Sequence, residues 1–172
     1  MEQLTKLNRH ICDLARQAGE KIMRFYEEGA SITWKADSSP LTAADSASHD
    51  FLVKALRDLV PEVPVISEES EESANHVGAN CSRFWLVDPL DGTKEFVKRT
   101  NEFTVNIALV ESRQPILGVV HAPALKLTYS GLRNRGSWRI AGDQSTTAIS
   151  TRRADPSTLS IVASKGSCWP IS

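Results

Sequence analysis

The residues able to do chemistry fall in three short stretches: "LTAAD" (41–45), "SEES" (67–70) and "FWLVDPLDGTKEF" (84–96). In the last, an apolar run stops at Asp88, and Asp91 follows after Pro89 and Leu90. Proline fixes φ and removes a backbone donor. The sequence therefore predicts a tight turn that brings both carboxylates to one point, with the Leu90 carbonyl free to aim there too. Two carboxylates and a carbonyl make a hard-oxygen site suited to Mg2+. Gly92 permits close backbone approach, and a helical turn beginning there would offer N–H groups to a phosphate. The competing reading is a turn without a ligand, because Asp, Pro and Gly are ordinary turn residues.

Glu68 stands in the same situation as Asp88, at the C-terminal end of a short apolar run, "VPVIS". If the two runs are neighbouring strands, Glu68 and Asp88 meet. Three convergent carboxylates repel one another unless a cation lies between them. Glu71 and Glu72 read as a solvated charge run, and Glu69 stays open between the two readings. Asp45 either stabilises the start of a helix or takes part in catalysis. Lys35 is either a surface lysine or a cation facing phosphate.

The elements that must position these groups follow from periodicity. Leu4, Leu7, Ile11, Leu14, Ala18, Ile22 and Phe25 recur at steps of three and four, which predicts a one-faced helix over 4–26. "ITWKAD" reads as a short strand broken by "SSP". A second helix follows, with Thr42 as N-cap and Asp45 three residues on, the acidic form of a capping box. Its buried stripe is Leu52, Ala55, Leu56 and Leu59, and Pro61 and Pro64 end it. Residues 72–82 read as a surface loop. Strands are predicted at 84–87, 103–110, 115–121, 126–131 and 137–140, joined by short polar links as an antiparallel meander. Two helices followed by a run of strands mean an α+β fold, two helices packed on an antiparallel sheet.

Bulk properties narrow the function classes. The chain has 172 residues, a net charge of −1, 41% hydrophobic and 24% charged residues. A chain of this size buries about 70% of its unfolded surface. The balance gives no electrostatic case for a nucleic acid polymer or a membrane surface. No apolar run suits a membrane span, and the N-terminus is too polar for a signal peptide. Cys12, Cys81 and Cys168 are odd in number and far apart, which points to a reducing cytoplasm and away from disulfides and zinc.

Taken together, "LTAAD", "SEES" and "WLVDPLDGTKEF" resemble the inositol monophosphatase-like superfamily of metal-dependent phosphatases. "KEF", "NEFTVNIALVE" and "PILGVVHAP" are similar to its CysQ-type 3'(2'),5'-bisphosphate nucleotidase branch. The resemblance runs from about residue 4 to about residue 164. It implies that Glu68, Asp88 and the Leu90 carbonyl hold one Mg2+ and that Asp88 and Asp91 hold a second. It implies that Gly92 and Thr93 bind the substrate phosphate, beside Glu68, Leu90 and Asp91, and that Thr93 and Asp45 orient and deprotonate a water. Lithium inhibition is a trait of the family. The implied reaction converts adenosine 3',5'-bisphosphate to AMP and phosphate; an inositol- or sugar-phosphate phosphatase is the alternative. Some relatives associate peripherally with the inner membrane.

Family members run to about 250 residues, a length taken from the resemblance and typical of a chain with two domains. Their second half carries a W-D-x-A-type segment whose aspartate completes the second metal site. Here neither Trp138 nor Trp169 is followed by Asp. The expected organisation is an N-terminal metal-binding domain over 1–152 and the start of a C-terminal α/β domain over 153–172. "LSIVASK" reads as a strand, and "GSCWPIS" departs from the family pattern. The chain is thus also expected as a shortened form with little activity, able to self-associate through the surface a second half would cover.

Overall fold

The computed structural model describes residues 2–29, 32–34, 40–70 and 81–151. Lys35, Glu71, Glu72, most of the 72–82 loop, the 159–163 strand, Cys168, Trp169 and the 153–172 segment lie outside the described residues.

Helix α1 spans Glu2–Glu28 and buries Asn8, Ile11, Cys12, Ala15, Ala18, Gly19 and Ile22. That stripe is rotated from the predicted one: Leu4, Leu7, Leu14 and Phe25 flank the core rather than fill it. Small residues occupy the contact because the helix lies close against the sheet. Gly19 shows this, since a Cβ there would sit 2.7 Å from the His121 ring. Strands β1 (Ile32–Trp34) and β2 (Pro40–Thr42) form a two-stranded antiparallel ribbon. Pro40, expected to break structure, instead opens β2, a position that needs no ladder donor.

Helix α2 spans Ala43–Leu59 and starts with the expected capping box. The Ala44 and Asp45 N–H groups donate to Thr42 Oγ1 at 3.2 and 3.4 Å, and the Thr42 N–H donates to Asp45 Oδ2 at 2.8 Å. Its buried face is Ala44, Asp45, Ser48, Leu52, Val53 and Leu56. Leu59, predicted to be buried, is 37% exposed in the last turn. The buried stripe includes two polar residues, Asp45 and Ser48, that a purely hydrophobic pattern passes over.

The main sheet has seven strands in the order β3-β4-β5-β6-β7-β8-β9. They are β3 (Val65–Ser67), β4 (Arg83–Asp91), β5 (Thr104–Glu111), β6 (Gln114–Ala122), β7 (Leu127–Leu132), β8 (Gly136–Ile140) and β9 (Thr146–Ile149). A short helix, α3 (Thr93–Val97), separates β4 from β5. From β4 to β9 every pairing is antiparallel, the predicted meander, and β3 runs parallel to β4. Strand β9 was not predicted. All four of its residues are exposed, so it carries no buried/exposed alternation to read.

Helices α1 and α2 pack on each other and on one face of this sheet. The core between them contains Trp85, Val87, Val105, Ile107, Leu109, Leu117 and Val119, each at most 1% exposed. Burying such side chains stabilises by about 1.5–3 kcal/mol apiece. The opposite face leaves Leu86, Val120, Tyr129 and Ile149 between 38% and 47% exposed. No helix among the described residues is long and apolar enough to cross a membrane.

Candidate metal and phosphate site

The site forms where β3 and β4 end. Parallel pairing sets Ser67 opposite Val87, and the ladder runs one bond further, from the Glu68 N–H to the Val87 carbonyl at 3.0 Å. Glu68 is thereby placed beside Asp88. The expected neighbour relation of the two strand ends holds.

The predicted tight turn does not. Strand β4 continues through Pro89 and Leu90 to Asp91. Asp88 pairs with Asn106 and Asp91 with Thr104, so three steps on β4 face two on β5. This is a β-bulge with one extra residue. Pro89 cannot donate to the ladder, which makes it a natural place for the irregularity. The burial record shows the consequence: Pro89 and Leu90 are both buried, while Asp88 is half-buried and Asp91 exposed. In a regular strand residues three apart point to opposite faces. The extra residue resets the alternation and returns Asp88 and Asp91 to the same face.

Asp88 carries the electrostatic signature of that convergence. Its carboxyl is pushed up to about 7, first by burial and then by the charges of Glu68 and Asp91. Its Oδ1 is buried and has no hydrogen-bond partner. Asp91 Oδ2 accepts from Asn106 Nδ2 at 3.1 Å. Among the described residues, no three acidic, histidine or cysteine side chains are already drawn to ligating distance. The donor set, all hard oxygen with one orphaned buried carboxylate atom, fits a divalent cation such as Mg2+.

Next to the carboxylates, Gly92 caps α3 with φ +89°. A Cβ there would lie 2.8 Å from the Glu102 carbonyl oxygen, so backbone strain and space both require glycine. Thr93 Oγ1 lies 3.2 Å from Asp45 Oδ1 and 3.2 Å from the Leu90 carbonyl, its one proton shared between two acceptors. Asp45 is 1% exposed. Burial pushes its carboxyl up, hydrogen bonds from Thr42 pull it back, and the charge of Glu69 raises it again. The two readings of Asp45 therefore describe different oxygens: Oδ2 closes the capping box and Oδ1 faces Thr93.

Several residues that hold this arrangement were missed in the sequence. Ser48, fully buried, donates to the Pro89 carbonyl at 2.8 Å and pins the bulge to α2. His49 Nδ1 shares a 2.8 Å hydrogen bond with Ser67 Oγ and fixes the end of β3. Ser48 shares the helical period of Asp45 and Leu52, but nothing local marks a serine on that stripe as the buried partner of a distant carbonyl. Tyr26, Phe96 and Phe103 form an aromatic triad with centroids 5.0–5.2 Å apart. It anchors α3 to α1 and so holds Gly92 and Thr93 in place.

Comparisons with known proteins agree with this fold. The sequence matches the inositol monophosphatase family over residues 3–167. It is 50% identical over 131 residues to the 3'(2'),5'-bisphosphate nucleotidase CysQ of Salmonella typhimurium, covering 75% of this chain and 52% of that protein. The crystal structure of CysQ from Bacteroides thetaiotaomicron aligns with TM-score 0.65 at 44% identity, over 76% of this chain and 47% of that one. An IMPase/NADP phosphatase complexed with Mg2+ and phosphate aligns with TM-score 0.70, over 80% of this chain and 51% of that one; at 21% identity it speaks to the fold. The chain spans about half the length of the curated relatives it matches. The fold, the motif order and the family match lead to one conclusion: this chain belongs to the inositol monophosphatase family.

Proposed function

We propose that the chain carries the metal- and phosphate-binding half of a Mg2+-dependent phosphomonoesterase that hydrolyses adenosine 3',5'-bisphosphate to AMP and phosphate. The observation that carries this reading is the Asp88 carboxylate, half-buried beside Glu68 and Asp91 with an unpartnered oxygen. Identity of 50% over 131 residues to a CysQ nucleotidase supports the nucleotide over an inositol phosphate.

Glu68, Asp88, Asp91 and the Leu90 carbonyl would hold the metal, with residues 1–152 as the metal-binding unit. Divalent cations bound there supply charge neutralisation and a lowered water pKa. The protein's own residues do the rest. The Thr93 hydroxyl donates to Asp45 Oδ1, which leaves its lone pairs free to accept a proton from an incoming water. Asp45, raised by burial, is a stronger base than a surface aspartate and draws the proton onward. Backbone N–H groups at Gly92 and Thr93 hold the phosphate oxygens. The water oxygen bonds to phosphorus as the bond to the 3'-oxygen breaks; the leaving oxygen takes a proton from solvent water, and Asp45 returns the attacking water's proton to solvent. Lithium, competing for the same oxygen donors, would inhibit. The proposed setting is the cytoplasm, with peripheral contact to the inner membrane as the family resemblance implies.

The outward sheet face forms part of the same proposal. Leu86, Val120, Tyr129 and Ile149 would take a second copy of the chain, because apolar patches of this kind seldom stay uncovered. The test is phosphate release from adenosine 3',5'-bisphosphate and from myo-inositol 1-phosphate, with Mg2+ and with or without Li+. Release from the nucleotide alone, inhibited by Li+, supports the reading. Preference for the inositol ester moves the chain to the alternative branch. No release from either, beside an active full-length relative, leaves a metal-binding fragment without turnover. Sedimentation at rising concentration reads self-association, which Val120→Lys should abolish.

A further inference from the structure

A second cavity lies across the sheet from the carboxylates, between the first half of α1 and strands β7 to β9, with a volume of about 490 Å3. Strands β5 and β6 separate it from β4, a gap of about 14 Å at the usual strand spacing. The size falls in the range of small-molecule sites.

Its floor holds a polar group the fold does not satisfy. Asn8 is 8% exposed, its Nδ2 donates to Ser130 Oγ at 3.2 Å, and its Oδ1 has no partner. Whichever way the amide is turned, Ser130 satisfies only one end of it. A buried polar atom without a partner costs stability, and leucine would serve a helix packed on a sheet better. One wall is Trp138 with Ile140, both only partly buried although they sit on the face that α1 covers elsewhere. The rim is cationic. Arg9 and Arg16 lie two helical turns apart, about 10 Å. Arg16 is held by Asp13 and Gln144. Arg9 is exposed and pairs with no carboxylate among the described residues.

We propose that this cavity binds a purine nucleoside monophosphate. The planar ring lies on Trp138 and Ile140, its edge meets Asn8, and its phosphate pairs with Arg9. An adenine edge offers an acceptor beside an N–H donor, the pattern that an asparagine amide recognises in pairs. Phosphate on arginine is a charge-assisted contact of fixed geometry. No member of the carboxylate site takes part, so the inference stands apart from the proposed reaction.

Calorimetry with AMP, in EDTA so that the carboxylate site repels the nucleotide, tests it. The expected result is saturable 1:1 binding that weakens about tenfold in Arg9→Gln. Adenosine and ribose 5-phosphate, each carrying half of the recognised groups, should each bind at least tenfold more weakly than AMP. Asn8→Leu should keep the fold by circular dichroism and lose the preference for AMP over ribose 5-phosphate. Absence of saturable AMP binding overturns the proposal. So does binding indifferent to Arg9→Gln, ribose 5-phosphate binding as well as AMP, or binding lost in Asp88→Asn but retained in Arg9→Gln.

Discussion

The two halves of β4 obey opposite rules. From Arg83 to Val87 the strand stays in register with β5, and its inward side chains, Trp85 and Val87, are 0% and 1% exposed. From Asp88 to Asp91 the register slips, like charges gather, and an oxygen is left unpaired. The first half gains stability from burial that outweighs one unpartnered donor, the buried Trp85 indole N–H. The second persists because other elements hold it: Ser48 on the Pro89 carbonyl, Asn106 on Asp91, Thr93 on the Leu90 carbonyl. A site rich in repelling oxygens thus rests on a strand whose other half supplies the stability it lacks, a common division between function and stability.

Breaking the stable half should have the largest effect. Trp85→Ala is expected to cost about 3–5 kcal/mol of unfolding free energy, as for large-to-small changes in packed cores. Urea unfolding, with an unchanged m-value, measures it.

Acid should weaken the molecule through a residue outside β4. His121 is buried against Gly19, shares a 2.9 Å hydrogen bond with Thr128, and is lowered to about 4 by burial. Its folded pKa lies below the unfolded value near 6.5. The unfolded chain therefore takes up the proton first as pH falls. Stability is fully present above pH 6.5 and declines by roughly 3 kcal/mol as pH falls through about 4. Replacement by glutamine should flatten that part of the profile; an unaltered slope would assign the loss to other groups.

The fragile half should respond to smaller changes. Gly92→Ala forces a side chain into φ +89° and against the Glu102 carbonyl, with an expected cost of about 2 kcal/mol. Ser48→Ala leaves the Pro89 carbonyl without its donor, at about 1–2 kcal/mol. If turnover is detected, it should fall by more than that stability loss accounts for, because the bulge sets the separation of Asp88 and Asp91.

The smallest effect carries the opposite sign. Asp88→Asn removes a charge opposed by burial, Glu68 and Asp91. Without metal and at pH 8 it should raise stability by about 1 kcal/mol. Mg2+ should stabilise the unaltered chain and leave this variant's melting temperature unchanged. A variant that Mg2+ still stabilises would remove Asp88 from the metal site.

Much of the fold was legible because it is periodic. The stepwise apolar residues of α1, the capping box at Thr42 and the alternation from β4 to β8 are local signals. Where the pattern was interrupted, the reading failed in identifiable ways. Pro89 suggested a turn because proline suits both turns and bulges, and only the pairing with Asn106 and Thr104 distinguishes them. Strand β9 stayed hidden because its residues are exposed, and Ser48 because a buried serine looks like any other helical serine.

The sequence alone determined the chemistry on offer: which oxygens exist, that Asp45 stands where it can cap a helix or take part in catalysis, that Gly92 permits close backbone approach, and that strands follow helices. Only the tertiary structure decided how these meet. It returned Asp88 and Asp91 to one face, divided the two oxygens of Asp45 between cap and Thr93, and left Asn8 half-satisfied above Ser130. The physical reason is that local periodicity records which way a residue faces within its own element. Register, bulges and contacts between distant segments depend on the partner strand or helix, and no stretch of neighbouring residues encodes that partner by itself.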